Sequence, residues 1–356
     1  MNTIGMMVRL TIFGSSHGPA VGAVLDGLPS GVNVDMARME KELALRRPRP
    51  PLGTPRVEED RVEVVSGVID GKSTGNAITL MVRNRDVDSS KYEQFRRLPR
   101  PGHADLVALA KYGEHHDLRG GGQFSGRLTV AIVAAGTIAR AWLEESDILI
   151  AGHSANIGGV EDVVTGMAGV RSSRGSAVRA VDKGAEEAMV NAILAAREEG
   201  DSVGGIVRCV VEGLPPGVGE PFFDTLDGEL AKMMFAIPGV KGVEFGSGFG
   251  CAGMRGSEHN DPFVVRGGEV VTEKNDAGGV LGGISNGMPM ELRVAFKPTA
   301  SIGIRQRTVD LEEMSEAELT IKGRHDPCIV PRAVAVVEAA TALVLADLCR
   351  QGGLIG

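Results

Sequence analysis

The chain has 356 residues, 43% of them hydrophobic and 24% charged, with a formal net charge of −8. This is an ordinary globular composition, long enough for a sizeable core, and its acidity argues against a general nucleic-acid binder. Its 50 glycines are about twice the average usage of ~7% and predict many tight turns and close backbone approaches.

Residues 8–13 form the first apolar run and read as a strand, without the long apolar stretch of a secretion signal. The run ends in Gly14-Ser15-Ser16-His17-Gly18, which is either a polar turn or an imidazole presented at a strand end, as an acid would need to be. A β-type run at 21–24 is closed by a Gly-Leu-Pro turn at 27–31, and a helix is predicted over 35–45. The stretch LRRPRPPLGTPR at 45–56 sets Arg46, Arg47, Arg49 and Arg56 among prolines that stiffen the backbone. We rank a lid over an anion first. A polyproline docking segment or a solvated basic surface are the alternatives.

Residues 66–85 read as a glycine turn followed by an alternating strand. RPGHAD at 100–105 combines Arg100, His103 and Asp105. Arginine offers a planar fork to phosphate or carboxylate, and histidine exchanges protons near neutral pH. A capping Asp beside a surface Arg and His would give the same letters. RGGGQFSGR at 119–127 opens a helix at 128–143, a placement that turns backbone N–H groups and a positive helix end toward an anion. It is neither a P-loop nor a GxGxxG fingerprint, so a Rossmann domain is not supported. The helix is apolar nearly all round, contains Arg140, and is too short for a membrane span, so it reads as a core helix.

Further on come a mixed-charge helix over 177–199, predicted to be more exposed, and a β-type run at 203–206 leading to a Gly-Leu-Pro turn at 213–217. A helix over 224–234, a second glycine turn and strand at 278–297, and Lys322-Gly323-Arg324-His325-Asp326-Pro327 follow. The last element is a buried helix over 333–348 that carries Glu338 and Asp347. Cys209, Cys251, Cys328 and Cys349 show no C-x-x-C spacing and read as reduced thiols, with no zinc site expected. His115, His116 and His153 read as structural or surface residues, and His259 receives no role.

The chain repeats itself. SGVIDGKSTGNAITLMVRNR at 66–85 aligns without gaps on GGVLGGISNGMPMELRVAFK at 278–297, sharing Gly67/Gly279, Val68/Val280, Gly71/Gly283, Ser73/Ser285, Gly75/Gly287, Leu80/Leu292 and Val82/Val294. VGAV at 21–24 resembles VGGI at 203–206, and VAIVAAGT at 130–137 resembles VAVVEAAT at 334–341. Three pairs in one order predict an α+β fold of a single domain, with pseudo-symmetric halves at about 1–150 and 200–350. The two halves would pack on shared central buried helices, bringing the two Arg/His loops into matching places.

Taken in order, FGSSHG (13–18), RPGHAD (100–105), RGGGQFSGR (119–127), VKGVEFGSGF (240–249), AGGVLGGISNG (277–287), KPTASI (297–302) and KGRHDPC (322–328) resemble the chorismate synthase family over about residues 2–350. The resemblance implies that family's fold, a sandwich of antiparallel sheets around central buried helices, and its anti 1,4-elimination of phosphate from 5-enolpyruvylshikimate 3-phosphate, the last step of the shikimate pathway. It also implies reduced FMN as cofactor without net redox change, a cytoplasmic homotetramer, and no nucleic-acid or membrane partner. By the same resemblance His17 is the acid for the leaving phosphate, His103 protonates the reduced flavin, and Asp326 takes a proton from it. Arg46, Arg49, Arg100, Arg127 and Arg324 contact the substrate anions. The flavin contacts are Gln123, Phe124, Ser125, Pro238, Gly239, Gly282, Lys297, Pro298, Thr299, Ala300, Ser301 and Arg324. The chain departs from the family at Ser15, where many relatives have Glu, at Gln123, where many have Arg, and in the basic loop, which is one residue shorter. A flavin oxidoreductase that consumes NAD(P)H and a non-catalytic anion- or partner-binding protein are the other readings weighed.

Overall fold

The computed structural model describes residues 2–54, 59–85, 89, 92–164, 166–321 and 326–355. Arg56, Arg324 and His325 lie outside the described residues.

Two antiparallel five-stranded sheets flank a pair of buried helices, Thr129–Glu144 and Val330–Gln351. The first sheet runs Thr3–Ile4, Arg9–Gly14, Ala20–Asp26, Ile78–Arg83, Val62–Ser66. The second runs Val160–Glu161, Leu149–Ile157, Gly205–Glu212, Met290–Phe296, Val240–Phe245. In both, the four long strands lie in the spatial order first, second, fourth, third. In both halves a helix stands between the second and third strands, Met36–Arg46 in one and Leu226–Phe235 in the other, and a central helix follows the fourth.

The likeness extends to single hydrogen bonds. Ser73 Oγ donates to Pro29 O at 2.6 Å and accepts from Val32 N at 2.9 Å. Ser285 Oγ donates to Pro215 O at 2.6 Å and accepts from Val218 N at 2.8 Å. Each serine pins the turn after its half's second strand. One sequence pairing needs correcting. Val21 stands opposite Val82, and Val207 stands opposite Val294. Val21 therefore corresponds to Val207, four residues beyond the Val203 that similarity of letters picked out. The alternation of a pleated strand lets VGGI mimic VGAV, whereas the ladder fixes the true register.

The central helices touch where side chains are smallest. A Cβ on Gly136 would lie 2.5 Å from Ala339 Cβ and 2.6 Å from Ala339 O, so this glycine sets their separation. Among the described residues, Gly126–Glu144 is long and apolar enough to cross a membrane, but 78% of that window is buried inside the fold. The mixed-charge helix is shorter than its sequence range, Lys183–Glu198, and buries only Met189, Ile193 and Ala196 along one stripe. Met36–Arg46 starts where Asp35 accepts the Arg38 N–H at 3.0 Å. It buries Met39, Glu42, Leu43 and Arg46, one face of a helix that carries Arg46 inward at its last turn.

Candidate active site

Both central helices begin at one cavity of about 700 Å³. Its wall takes Gly126, Arg127 and Thr129 from the first helix start and Ile329, Arg332 and Ala333 from the second. Two positive helix ends therefore open on the same space. The volume falls within the usual range for small-molecule sites.

Most of the sequence-predicted site residues meet there. Arg46, His103, Gln123, Phe124, Ser125, Arg127, Pro238, Gly239, Lys297, Pro298, Thr299, Ala300, Ser301 and Asp326 all line the cavity. Arg49 and Gly282 do not. Gly282 sits at the tip of a hairpin between Val280–Leu281 and Ile284–Ser285, and Arg49 lies beyond the turn of the helix that ends at Arg46.

Arg100 lies beneath the wall rather than on it, with 6% of its side chain exposed. Its Nε and Nη2 each donate to Asp105 at 2.7 Å, and its guanidinium lies 4.4 Å from the Phe95 ring centroid. Its fork is thus engaged inside the protein, where it holds Asp105. Asp105 Oδ1 in turn lies 2.8 Å from His103 Nδ1. Burial by itself would raise the Asp105 carboxyl, but the Arg100 and His103 contacts outweigh it and hold the group well below the usual carboxylate range. A carboxylate at Nδ1 fixes the tautomer that carries its proton there, which leaves Nε2 as the exchangeable atom.

The cations of the wall are set by two carboxylates, Asp326 and one that the sequence did not single out, Asp60. Asp60, whose side chain is wholly buried, accepts from Arg46 Nη2 at 2.7 Å and from Arg127 Nη1. Burial pushes its carboxyl up, yet the two guanidiniums win and the net shift is downward. Asp326 accepts Thr54 N–H at 3.0 Å and the Arg332 guanidinium, and Arg332 Nε donates to Arg46 O at 2.8 Å. Neither Asp60 nor Arg332 belongs to a motif, and only the fold brings them to the site. Lys241 and Lys297 also line the cavity. Lys297 Nζ donates to Gly102 O at 2.6 Å, and burial first, then the charge of Lys241, lowers its pKa. Among the described residues neither ammonium meets a carboxylate.

His17 is placed one layer behind the wall. It is 7% exposed, its Nδ1 is 2.9 Å from Ser89 Oγ, and its ring stands edge-on to Tyr92 with centroids 5.1 Å apart. Tyr92 and Gly120 separate it from the cavity they line. Gly120 has φ +61°, and a Cβ there would lie 2.3 Å from His17 Cδ2. Gly120→Ala is accordingly expected to cost about 1–2 kcal/mol from backbone handedness and to displace the imidazole. Denaturation and turnover measured together check this, and a variant with the wild-type rate would show that the position of His17 is irrelevant to activity.

Two other described histidines lie off the wall. His153 is fully buried with Nδ1 3.1 Å from Asp162. His116 stacks on Tyr112 and meets Phe124 edge-on at 5.9 Å, so it backs a cavity residue.

Two buried helix starts, a carboxylate-held imidazole and several cations define an enzyme-type pocket for a small, multiply anionic ligand. A family model described as chorismate synthase matches residues 8–349. A chorismate synthase of Korarchaeum cryptofilum is 52% identical over 345 residues, covering 96% of each chain. One of Dehalococcoides mccartyi is 48% identical over 356 residues, covering 99% of this chain and 98% of that one. A crystal structure of chorismate synthase superposes with a TM-score of 0.78 at 28% identity, covering 98% of this chain and 93% of that one. The chain belongs to the chorismate synthase family.

Proposed function

We propose that the chain converts 5-enolpyruvylshikimate 3-phosphate into chorismate and phosphate by anti 1,4-elimination, with reduced FMN bound beside the substrate and unchanged overall. The observation that carries this reading is the gathering of the His103–Asp105 pair, Asp326 and the cations of Arg46, Arg127, Lys241 and Lys297 around one cavity. The residues suit a flavin. Gly126 lines the cavity, and a Cβ on it would meet nothing within 4 Å, so a flat ring can approach that backbone. Phe124, Pro238, Ile237 and Phe296 supply apolar surface, while Lys297 and Lys241 suit its phosphate.

Reduced FMN, when bound, supplies transient electron density for the departure of phosphate and recovers it afterwards. Arg46 and Arg127, fixed by Asp60, hold the substrate's anionic groups and favour the charge that builds on the leaving phosphate. His103 exchanges a proton at Nε2 while Asp105 holds Nδ1. Asp326 holds or accepts a proton at a carboxylate oxygen, oriented by Thr54 and Arg332. His17 is assigned the acid role toward the phosphate, and movement of Tyr92 and the Gly120 segment would open the cavity to it. We assign the protein to the cytoplasm as a single domain of two pseudo-symmetric halves. The exposed Phe222, Phe223, Phe263 and Val265 support its assembly with further copies, which we take to be a homotetramer.

The test is anaerobic incubation of the protein with the enolpyruvyl substrate and chemically reduced FMN, following chorismate and phosphate together. Equimolar appearance of both is expected. Phosphate without chorismate, or neither product, would overturn the assignment.

A further inference from the structure

Asn84 follows the strand Ile78–Arg83 and is half-buried beside the His17 turn. Its Nδ2 donates to Ser15 O at 3.0 Å and to Gly18 O at 2.8 Å. These two carbonyls bracket Ser16 and His17. Its Oδ1 accepts from Arg127 Nε at 3.1 Å. The amide cannot be turned over without setting its NH2 against the guanidinium N–H and its oxygen against two carbonyls. One side chain thus donates twice to the loop that carries the imidazole and accepts once from an arginine of the cavity wall.

That pattern is chemically selective. A carboxylate has only acceptors, and alanine or serine is too short to bridge both sides. Ser15 O also accepts from Gly18 N at 3.1 Å, which closes the turn between the two carbonyls. Arg127 is also fixed by Asp60, which fixes Arg46. Asn84 therefore joins the His17 turn to the carboxylate-anchored cations.

We propose that Asn84 is a positioning residue that locks the turn carrying His17 to Arg127, so that imidazole and guanidinium keep one mutual geometry during the reaction. This rests on the reading that His17 and Arg127 serve catalysis.

The experiment compares Asn84→Asp and Asn84→Ala, each alone and combined with His17→Ala, by kcat, KM and melting temperature. Asn84→Asp keeps the acceptor for Arg127 but replaces two donations by repulsion. Both single variants are expected to lose about 100-fold in kcat, the scale of a displaced catalytic group, with the melting temperature lowered by no more than about 4 °C. In the His17→Ala background neither is expected to lower kcat much further, because the two changes remove the same arrangement. A further loss of about 100-fold there would show independent action and overturn the proposal. So would Asn84→Asp turning over like the wild type, since the turn would then need no donation. Should Asn84→Asp fail to fold, Asn84→Ala carries the same comparison. A fully active His17→Ala protein would overturn the reading beneath the proposal, and that result needs no Asn84 variant to be recognised.

Discussion

Asp60→Ala is expected to lower stability by about 3–5 kcal/mol, the scale for breaking a buried ion pair, and to remove most activity. The Asp60 side chain is wholly buried, and those of Arg46 and Arg127 are 1% and 9% exposed. The carboxylate they share sits beneath the cavity wall, so its loss affects the core and the site together. Asp60→Asn keeps the shape and separates charge from volume. It is expected to be the milder variant, retaining one acceptor for a guanidinium. The pH dependence follows from the direction of the shift. The folded carboxyl is held below its ordinary value of 3.8. Its stabilisation is therefore present above that value and is lost as pH falls through the lower, folded one. Urea unfolding of wild type and Asp60→Asn between neutral pH and about pH 3 would show the two curves converging toward acid. A gap that stays constant over that range would mean the stabilisation comes from packing rather than charge.

The same cluster shows why part of the site could be read from sequence and part could not. His103, Asp105 and Arg100 are close in the chain, and the tight turn before helix Asp105–Tyr112 brings them into contact, so their letters carry the contact with them. For Arg100 the sequence shows that a guanidinium is near but not what its Nε–Nη2 fork holds. Asp105, five residues on, occupies it. Asp60, Asn84 and Arg332 have no motif. Each acts across the fold, on Arg127, on the His17 turn and on the Arg46 carbonyl, and no local pattern marks such partners. The duplication was legible because glycines and Ser73/Ser285 serve the same turns in both halves. Its strand register was not, since VGAV and VGGI are nearly interchangeable on a pleated strand and only the ladder distinguishes Val203 from Val207.

A site arranged in this way has its cations placed before the substrate arrives. Asp60 fixes two guanidiniums, Asp326 fixes Arg332, and Gly102 O fixes Lys297. Preset donors need little reorganisation as charge develops on a leaving group, which is where most electrostatic catalysis resides. Asp60 does this from beneath the cavity wall, and its loss should be felt as lower kcat more than as higher KM.

The sharpest case is Asp105→Asn, expected to lower kcat by about 10²–10⁴-fold, the range supplied by a positioned acid–base group, with KM little changed. The carboxylate accepts from Arg100 at three nitrogens and faces His103 Nδ1 at 2.8 Å. An amide in its place has one oxygen and one NH2, and an oxygen at the Oδ2 place keeps the donations of the Arg100 backbone N–H and Nε, so the NH2 takes the place of Oδ1. The NH2 is then left toward His103 Nδ1, which must become an acceptor, so the proton moves to Nε2 and the tautomer is inverted. His103→Ala removes the group altogether and is expected to fall in the same range, so the double variant should lose no more than the worse single one. Proton NMR of the imidazole would follow the tautomer independently of turnover. Asp105→Asn retaining wild-type kcat while the resonance reports an inverted tautomer would remove His103 Nε2 from the proton path. The cavity would then be left with Asp326 as its one remaining described proton acceptor among the assigned residues.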